Sequence, residues 1–229
     1  MPEQPVAAIV PAAGAGERLG AGVPKAMALL AGEPILVHAV RALAAEPRIG
    51  LVVLACPEGL EEAMAAAAAA VAGGVPVVAV TGGATRAASV ARALAVVPEQ
   101  YPIVLVHDAA RCLVPSAVVA AVIEAVAAGA PAVVPGLPVV DTIRALEAGG
   151  TSRTLDRTAL RAVQTPQGFP TEVLRRAHAA GDPGATDDAG MVEALGLSVT
   201  LVPGDPRAFK VTSPLDLRLA EALLADEEA

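Results

Sequence analysis

The chain has 229 residues and a formal net charge of −8, and its composition is 55% hydrophobic but only 1% aromatic. That length suits one α/β domain with a substantial core, built from Ala, Val and Leu rather than aromatic rings. The acidic balance argues against a general nucleic-acid or anionic-membrane surface. With no Trp and one Tyr, the chain also offers no stacking platform for single strands.

The first predicted strand is the apolar run Val6–Val10. It leads into Val10-Pro-Ala-Ala-Gly-Ala-Gly-Glu-Arg-Leu-Gly-Ala-Gly-Val-Pro-Lys25, a glycine-rich loop holding the cations Arg18 and Lys25. Glycines let backbone N–H groups approach an anion, and the two cations neutralise charge that backbone dipoles cannot. The loop therefore points to nucleotide phosphates. It is not a Walker A loop, because Lys25 follows Pro24 and precedes Ala26. Nor is it the dinucleotide fingerprint, because Gly14, Gly16 and Gly20 give G-x-G-x-x-x-G, which disfavours a dehydrogenase.

Next come a predicted helix near Pro34–Ala44, a strand Leu51–Ala55, a helix near Glu58–Ala72 and a strand Val77–Val80. The uncharged stretch Ala63–Val80 is mostly Ala and contains Gly73, Gly74 and Pro76, poor credentials for crossing lipid. It reads as an Ala-rich helix turning into a strand. A helix near Thr85–Val96, a strand Ile103–Val106, a helix near Pro115–Ala127 and a strand Ala132–Val134 follow. Continuous apolar strands alternating with helices predict a Rossmann-like α/β fold, a mostly parallel sheet covered on both faces. Ligands bind such sheets at the carboxyl ends of the strands. Ala12–Lys25, Thr81-Gly-Gly-Ala-Thr-Arg86 and His107-Asp-Ala-Ala-Arg111 should therefore meet on one edge.

After Pro135 the pattern breaks. Gly136–Arg161 is richer in charge, and Asp141-Thr142-Ile-Arg144 and Thr154-Leu-Asp-Arg157 flank Gly149-Gly150, which predicts a β-hairpin or arm at about 137–161. The chain returns through Ala162–Thr165 to a helix from about Thr171. A further helix is expected with Thr186 as N-cap and Asp187 and Asp188 in its first turn. Lys210 falls in a predicted short strand, and the last helix starts with Ser213 as cap and Pro214 in first position. The simplest parse is one domain, residues 1–229, with an arm.

Asp108 ends the strand Ile103–Val106 after His107, so a buried strand delivers a carboxylate to the binding edge, where it could hold Mg2+ or another divalent cation. His107 reads as hydrogen-bonded structure, and His38 and His178 as peripheral helix residues. Arg18, Lys25, Arg157 and Lys210 are the candidate cations for chemistry, although by itself Arg157 reads first as a solvated arm residue and Lys210 equally as a strand lysine reaching to solvent, while Arg86 and Arg111 should order loops or pair with carboxylates. Nucleotidyl transfer brings an anionic nucleophile to a nucleoside triphosphate, so it needs cations on both partners and a divalent metal. No Ser-His-Asp or Cys-His set is evident. Cys56 and Cys112 lie in no metal spacing and read as buried free thiols of a cytoplasmic protein. The start of the chain also lacks the basic region of a secretory signal.

Taken in order, Pro11-Ala-Ala-Gly-Ala-Gly-Glu-Arg18, Pro24-Lys25, Gly82-Gly83…Arg86…Ser89-Val90, Val106-His-Asp-Ala-Ala-Arg111, Asp141-Thr142, Gln164-Thr-Pro-Gln167, Thr186-Asp187 and Lys210-Val-Thr212 form a recognisable series. It resembles the 2-C-methyl-D-erythritol 4-phosphate cytidylyltransferases of non-mevalonate isoprenoid synthesis, over about Val6 to Leu219. The resemblance implies transfer of a cytidylyl group from CTP to that alcohol phosphate, with Mg2+, by a homodimer whose arms cross. On that reading Arg18 and Lys25 stabilise the α-phosphorus and Asp108 holds the metal. Arg157 and Lys210 position the substrate phosphate, Arg157 in the partner's site, with Arg111, Thr142, Thr165 and Thr186 assisting. Pro11, Ala12, Ala13, Gly14, Ala15 and Gly16, with Gly82, Gly83, Ser89, Asp108 and Ala109, would hold the nucleotide. The chain departs from the pattern at Ala84, often polar in relatives, at Cys112, where Pro is common, and at Asp188-Ala-Gly190, where Glu-Ala-Ser or Asp-Ala-Ser is frequent. None of these removes a proposed charge. A cytidylyltransferase for another polyol phosphate, such as ribitol 5-phosphate, and a non-catalytic nucleotide-binding protein remain as alternatives.

Overall fold

The computed structural model describes residues 4–14, 23–181 and 184–227. In chain order the first half comprises β1 (Val6–Pro11), the short pair β2 (Leu29–Leu30) and β3 (Glu33–Pro34), α1 (Ile35–Ala44) and β4 (Ile49–Cys56). It continues with α2 (Glu61–Ala69), β5 (Val77–Thr81), α3 (Arg86–Ala95), β6 (Ile103–Val106) and α4 (Ser116–Ala127). The second half holds β7 (Val133–Pro138), β8 (Arg144–Leu146), β9 (Ser152–Thr154), β10 (Arg161–Val163) and β11 (Gln167–Pro170). It ends with α5 (Thr171–Ala180), α6 (Asp188–Ala194), β12 (Thr200–Pro203) and α7 (Pro214–Glu227).

The main sheet runs β10-β7-β11-β6-β1-β4-β5, with β12 beside β7. Strands β6, β1, β4 and β5 pair in parallel, as their unbroken apolar runs require when both faces are covered. Alternate residues feed two cores. Ala8, Val10, Val52 and Leu54 pack toward α1, α2 and α4, whereas Ala7, Ile9, Val53 and Ala55 pack toward α3, α5 and α6. The Ala-rich segment turns as expected: α2 stops at Ala69, Gly73 and Gly74 take positive φ, and β5 begins at Val77. No helix among the described residues is long and apolar enough to cross a membrane.

Two strands carry no clear signal in the sequence. β11 inserts antiparallel between β6 and β7, and β12 extends the sheet parallel to β7. Gln167-Gly-Phe-Pro170 carries a single large apolar residue, Phe169, so it has no hydrophobic period to announce it. Its Gly168 is needed for packing, since a Cβ there would sit 2.5 Å from Val122 Cγ1. The hairpin of the arm is present as β8 and β9, with Gly149 and Gly150 at φ of 78° and 80° in the connection. Beyond it, β10 returns to pair with the end of β7.

Parallel pairing decides where the site lies. Ile9 is level with Val106, Pro11 with Ala55, and Cys56 with Thr81, so β1, β4, β5 and β6 stop at a common edge. The loops leaving that edge are the polar segments picked out in the sequence.

Candidate active site

A cleft of about 560 Å3 opens on this edge. One wall is the end of β1 and its loop: Pro11, Ala12, Ala13 and Gly14, with Lys25 and Ala26. Ala15, Gly16 and Arg18 lie outside the described residues. Lys25 starts a 3-10 turn, Lys25–Met27, and its backbone N–H donates to the Gly14 carbonyl at 3.3 Å. The segment therefore closes back onto the end of β1.

The second wall is the loop from β5 into α3, where Gly83, Thr85, Arg86 and Ser89 face the cleft. Both glycines are required by close packing. A Cβ on Gly82 would lie 2.5 Å from the Ala13 Cβ, and one on Gly83 would lie 2.4 Å from the Ala88 Cβ. Gly82 does not itself face the cleft; its carbonyl accepts from Arg92 Nη1 at 2.7 Å. Ser89 is buried and its hydroxyl accepts from the Gly83 N–H at 3.0 Å, so this side chain shapes the loop as well as lining the cleft. Thr85 caps α3, accepting from the Ala88 N–H.

Asp108, Ala109 and Ala110 form the third wall, and Lys210 and Thr212 close it. Asp108 Oδ2 accepts from Lys210 Nζ at 2.8 Å, and Oδ1 accepts from Arg86 Nε at 3.2 Å. Burial by itself would raise the Asp108 pKa, but the charges of Arg86 and Lys210 hold the carboxyl well below the usual carboxylate range. The group is an anion with cations on two sides.

The support beneath Asp108 is polar and buried. Its backbone N–H donates to Thr165 Oγ1 at 3.0 Å, and that hydroxyl meets His107 Nδ1 at 3.1 Å. His107 Nε2 lies 3.2 Å from the Arg111 carbonyl. Because that carbonyl can only accept, Nε2 carries the proton and Thr165 donates to Nδ1. Burial lowers the His107 pKa to about 4, so the ring is neutral structure, as its position after a buried strand suggested. Thr165 thus positions Asp108 from behind and does not face the cleft. Arg111 is likewise occupied, donating to the carbonyls of Ala208 at 2.8 Å and Val163 at 3.2 Å.

Lys210 joins no ladder, which corrects the expected strand. Its segment is held instead by the Val211 N–H on the Ala110 carbonyl and by Asp216, which accepts from Thr212 N and Oγ1 at 2.8 Å each. The N-cap of α6 is Asp187, accepting from the Gly190 N–H, rather than Thr186. Thr186 lines a separate hollow beside Arg86. Thr142 and Arg157 are exposed on the arm, where Arg157 Nη1 donates to the Val140 carbonyl, and neither lines the cleft.

Arg86 pairs with carboxylates, as expected, and with two of them. Besides Asp108 it grips Asp188, Nη1 to Oδ2 at 2.6 Å, and Asp188 Oδ1 meets His178 Nε2 at 2.9 Å. His178 is therefore not peripheral: its side chain is only 7% exposed and abuts this buried network. The placement of Arg86 at the start of α3, after a strand-end glycine pair, was the available signal; its second carboxylate lies 102 residues away. Cys56 and Cys112 are free and buried, and burial raises the Cys56 thiol to about 11 and the Cys112 thiol to about 12, so neither is a nucleophile.

Among the described residues no group of three or more His, Cys, Asp or Glu could hold a metal by itself. One carboxylate facing a phosphate-sized cleft still fits Mg2+, which is commonly held by one or two carboxylates with substrate phosphates and water.

Comparison with known proteins agrees with the geometry. The family model for 2-C-methyl-D-erythritol 4-phosphate cytidylyltransferase matches residues 6–226. The enzyme of that name from Saccharopolyspora erythraea is 53% identical, the match covering 96% of this chain and 99% of the relative. The one from Streptomyces coelicolor is 52% identical, covering 96% and 84%. The crystal structure of the Thermus thermophilus enzyme superposes with a TM-score of 0.78 at 42% identity, over 96% of this chain and 99% of that one. The fold, the strand-end cleft and these matches together place the chain in the 2-C-methyl-D-erythritol 4-phosphate cytidylyltransferase family, as a nucleotidyl-transferring enzyme.

Proposed function

We propose that this cleft joins CTP to 2-C-methyl-D-erythritol 4-phosphate by in-line attack of the alcohol phosphate on the α-phosphorus, releasing pyrophosphate. Four separate segments bring Lys25, Arg86, Asp108 and Lys210 to one cleft, and that convergence carries the reading. The nucleoside lies against Pro11–Gly14, Gly83 and Ser89, where small residues leave room for a base and backbone groups can read it. Lys25, joined by Arg18, stabilises the charge that builds on the α-phosphate. Asp108 holds a divalent cation, Mg2+ in the first instance, which would neutralise phosphate charge when bound. Lys210, pinned by Val211 and Asp216, meets the incoming phosphate beside Asp108.

Arg157 belongs to the same reaction in the partner subunit's site. It is exposed on the arm and lines no part of its own cleft. The same arm exposes Val140 and Leu146, at 78% and 88%, which favours burial against a second copy. Two buried free thiols suit a reducing compartment, and hence a cytoplasmic enzyme.

The test is pyrophosphate release from CTP with each alcohol phosphate supplied separately. Turnover is expected with methylerythritol 4-phosphate; faster turnover with ribitol 5-phosphate overturns the substrate, and CTP binding without turnover on any polyol phosphate overturns the enzyme. Mixing Lys25→Ala and Arg157→Ala subunits should restore activity that each variant lacks alone. A verified heterodimer without recovery removes the assignment of Arg157 to the partner's site.

A further inference from the structure

Asp188 is the first residue of α6 and is fully buried. An ionised carboxylate in that position needs partners for both oxygens, since an unpaired buried charge is strongly destabilising. It has them: Oδ2 accepts from Arg86 Nη1 at 2.6 Å, and Oδ1 accepts from His178 Nε2 at 2.9 Å. Capping does not explain the residue, because Asp187 caps α6 and is itself held by Gln167 Nε2 at 2.7 Å. α6 is thereby tied to β11, and Asp188 stands on a fixed support.

Arg86 links this buried pair to the cleft. Its guanidinium is a rigid planar fork, so fixing one edge fixes the direction of the others. Nη1 points at Asp188 while Nε points at Asp108 Oδ1, 3.2 Å away. Asp108 is held through its backbone by Thr165, through Oδ1 by Arg86 and through Oδ2 by Lys210. The hold on Oδ1 is the one that continues, through Arg86, to the buried carboxylate of Asp188 at the start of α6.

We propose that Asp188, backed by His178, is a positioning residue for the transfer: it anchors Arg86 so that the guanidinium sets the orientation of the Asp108 carboxylate in the cleft. The proposal rests on the reading that Asp108 acts in the reaction. With Asn at position 188 the shape survives but the anion is lost, and an amide N–H can face the guanidinium. Arg86 then has a single carboxylate, Asp108, to satisfy its charge and is free to turn onto it. With Glu the anion survives and the shape changes.

Charge anchoring and simple packing therefore predict opposite orders. Four variants, Asp188→Asn, Asp188→Glu, His178→Gln and His178→Leu, are compared in kcat, in KM for CTP, in calorimetric CTP affinity and in melting temperature. Anchoring predicts that Asp188→Asn lowers kcat by at least about tenfold while KM and CTP affinity change by less than about threefold, and that Asp188→Glu stays within about threefold of wild type. His178→Gln, which keeps an N–H donor, should likewise retain kcat within about threefold, and His178→Leu should lose more. Asp188→Asn turning over as fast as Asp188→Glu, or faster, overturns the proposal. Should Asp188→Asn fail to fold, equal kcat for His178→Gln and His178→Leu overturns it in the same way. Asp108→Asn is measured alongside. Unchanged turnover there sinks the underlying role of Asp108, whereas a large loss there with no effect at Asp188 sinks only the anchor.

Discussion

The parallel edge of the sheet and the arm are built on opposite principles. At the edge, β1, β4 and β6 are buried on both faces, and their ends cannot move without opening two cores. Asp108 inherits that rigidity directly from β6 and is braced further by buried His107 and Thr165. The arm has no core of its own. β8 and β9 form an isolated two-stranded ladder, stitched by Arg144 to Ser152 and Thr154, with Leu146 almost fully exposed. Such a ribbon is marginal alone in water. A rigid edge suits groups that must meet a reacting phosphorus within fractions of an ångström, whereas an arm suits contacts that form on assembly.

The contrast can be broken most directly at the cleft. If, as proposed, Lys25 stabilises charge that exists only during transfer, Lys25→Ala should lower turnover by about 10^2 to 10^3 while shifting the melting temperature by only a few degrees. A rate close to wild type, measured by pyrophosphate release, would remove the glycine loop from the chemistry.

The brace under Asp108 gives the next largest effect, visible in stability against pH. The folded-state pKa of His107 is depressed to about 4, whereas an unfolded histidine titrates near 6.5. Its contribution is therefore complete above about pH 6.5 and is lost as pH falls toward about 4, about 3 kcal/mol over the window. Denaturant unfolding at a series of pH values should show this slope, and His107→Gln should flatten it. An equal slope in both proteins would mean that the ring is charged in the fold.

Packing inside the sheet comes next. Gly168→Val places atoms where Val122 already sits and should cost about 1–3 kcal/mol, read from the denaturant midpoint. The smallest effect on folding belongs to the arm: Leu146→Ser should change subunit stability by less than about 0.5 kcal/mol, since the side chain is 88% exposed. On the proposed pairing of arms between two copies, the same change should weaken self-association in sedimentation or light scattering. If it destabilised the subunit as much as Gly168→Val, the arm would be part of the core after all.

Much of this arrangement is legible in the chain alone. Val6–Val10 and Ile103–Val106 read as buried parallel strands because both their faces are apolar, and the rule for strand ends then names the three loops that meet. The hairpin is legible from its glycine pair. β11 is not, because Gly168 and Phe169 are placed by what they touch and carry no period of their own. Lys210 looks like a strand residue between Phe209 and Val211, yet its position is set by hydrogen bonds to Ala110 and Asp216 rather than by a ladder.

What the sequence determined by itself was the sheet's parallel half, the edge where ligands bind and the residue types gathered there. Local hydrophobic pattern and turn chemistry act over a few residues, and one chain displays them openly. Only the tertiary structure decided which charge meets which. It drew His178, Asp188, Arg86, Asp108 and Lys210 into one network, turned Thr165 and Arg111 toward the scaffold, and left Arg157 on an arm away from its own cleft. Ion pairing depends on distance in space and on burial, and neither can be read from positions up to 102 residues apart along a chain.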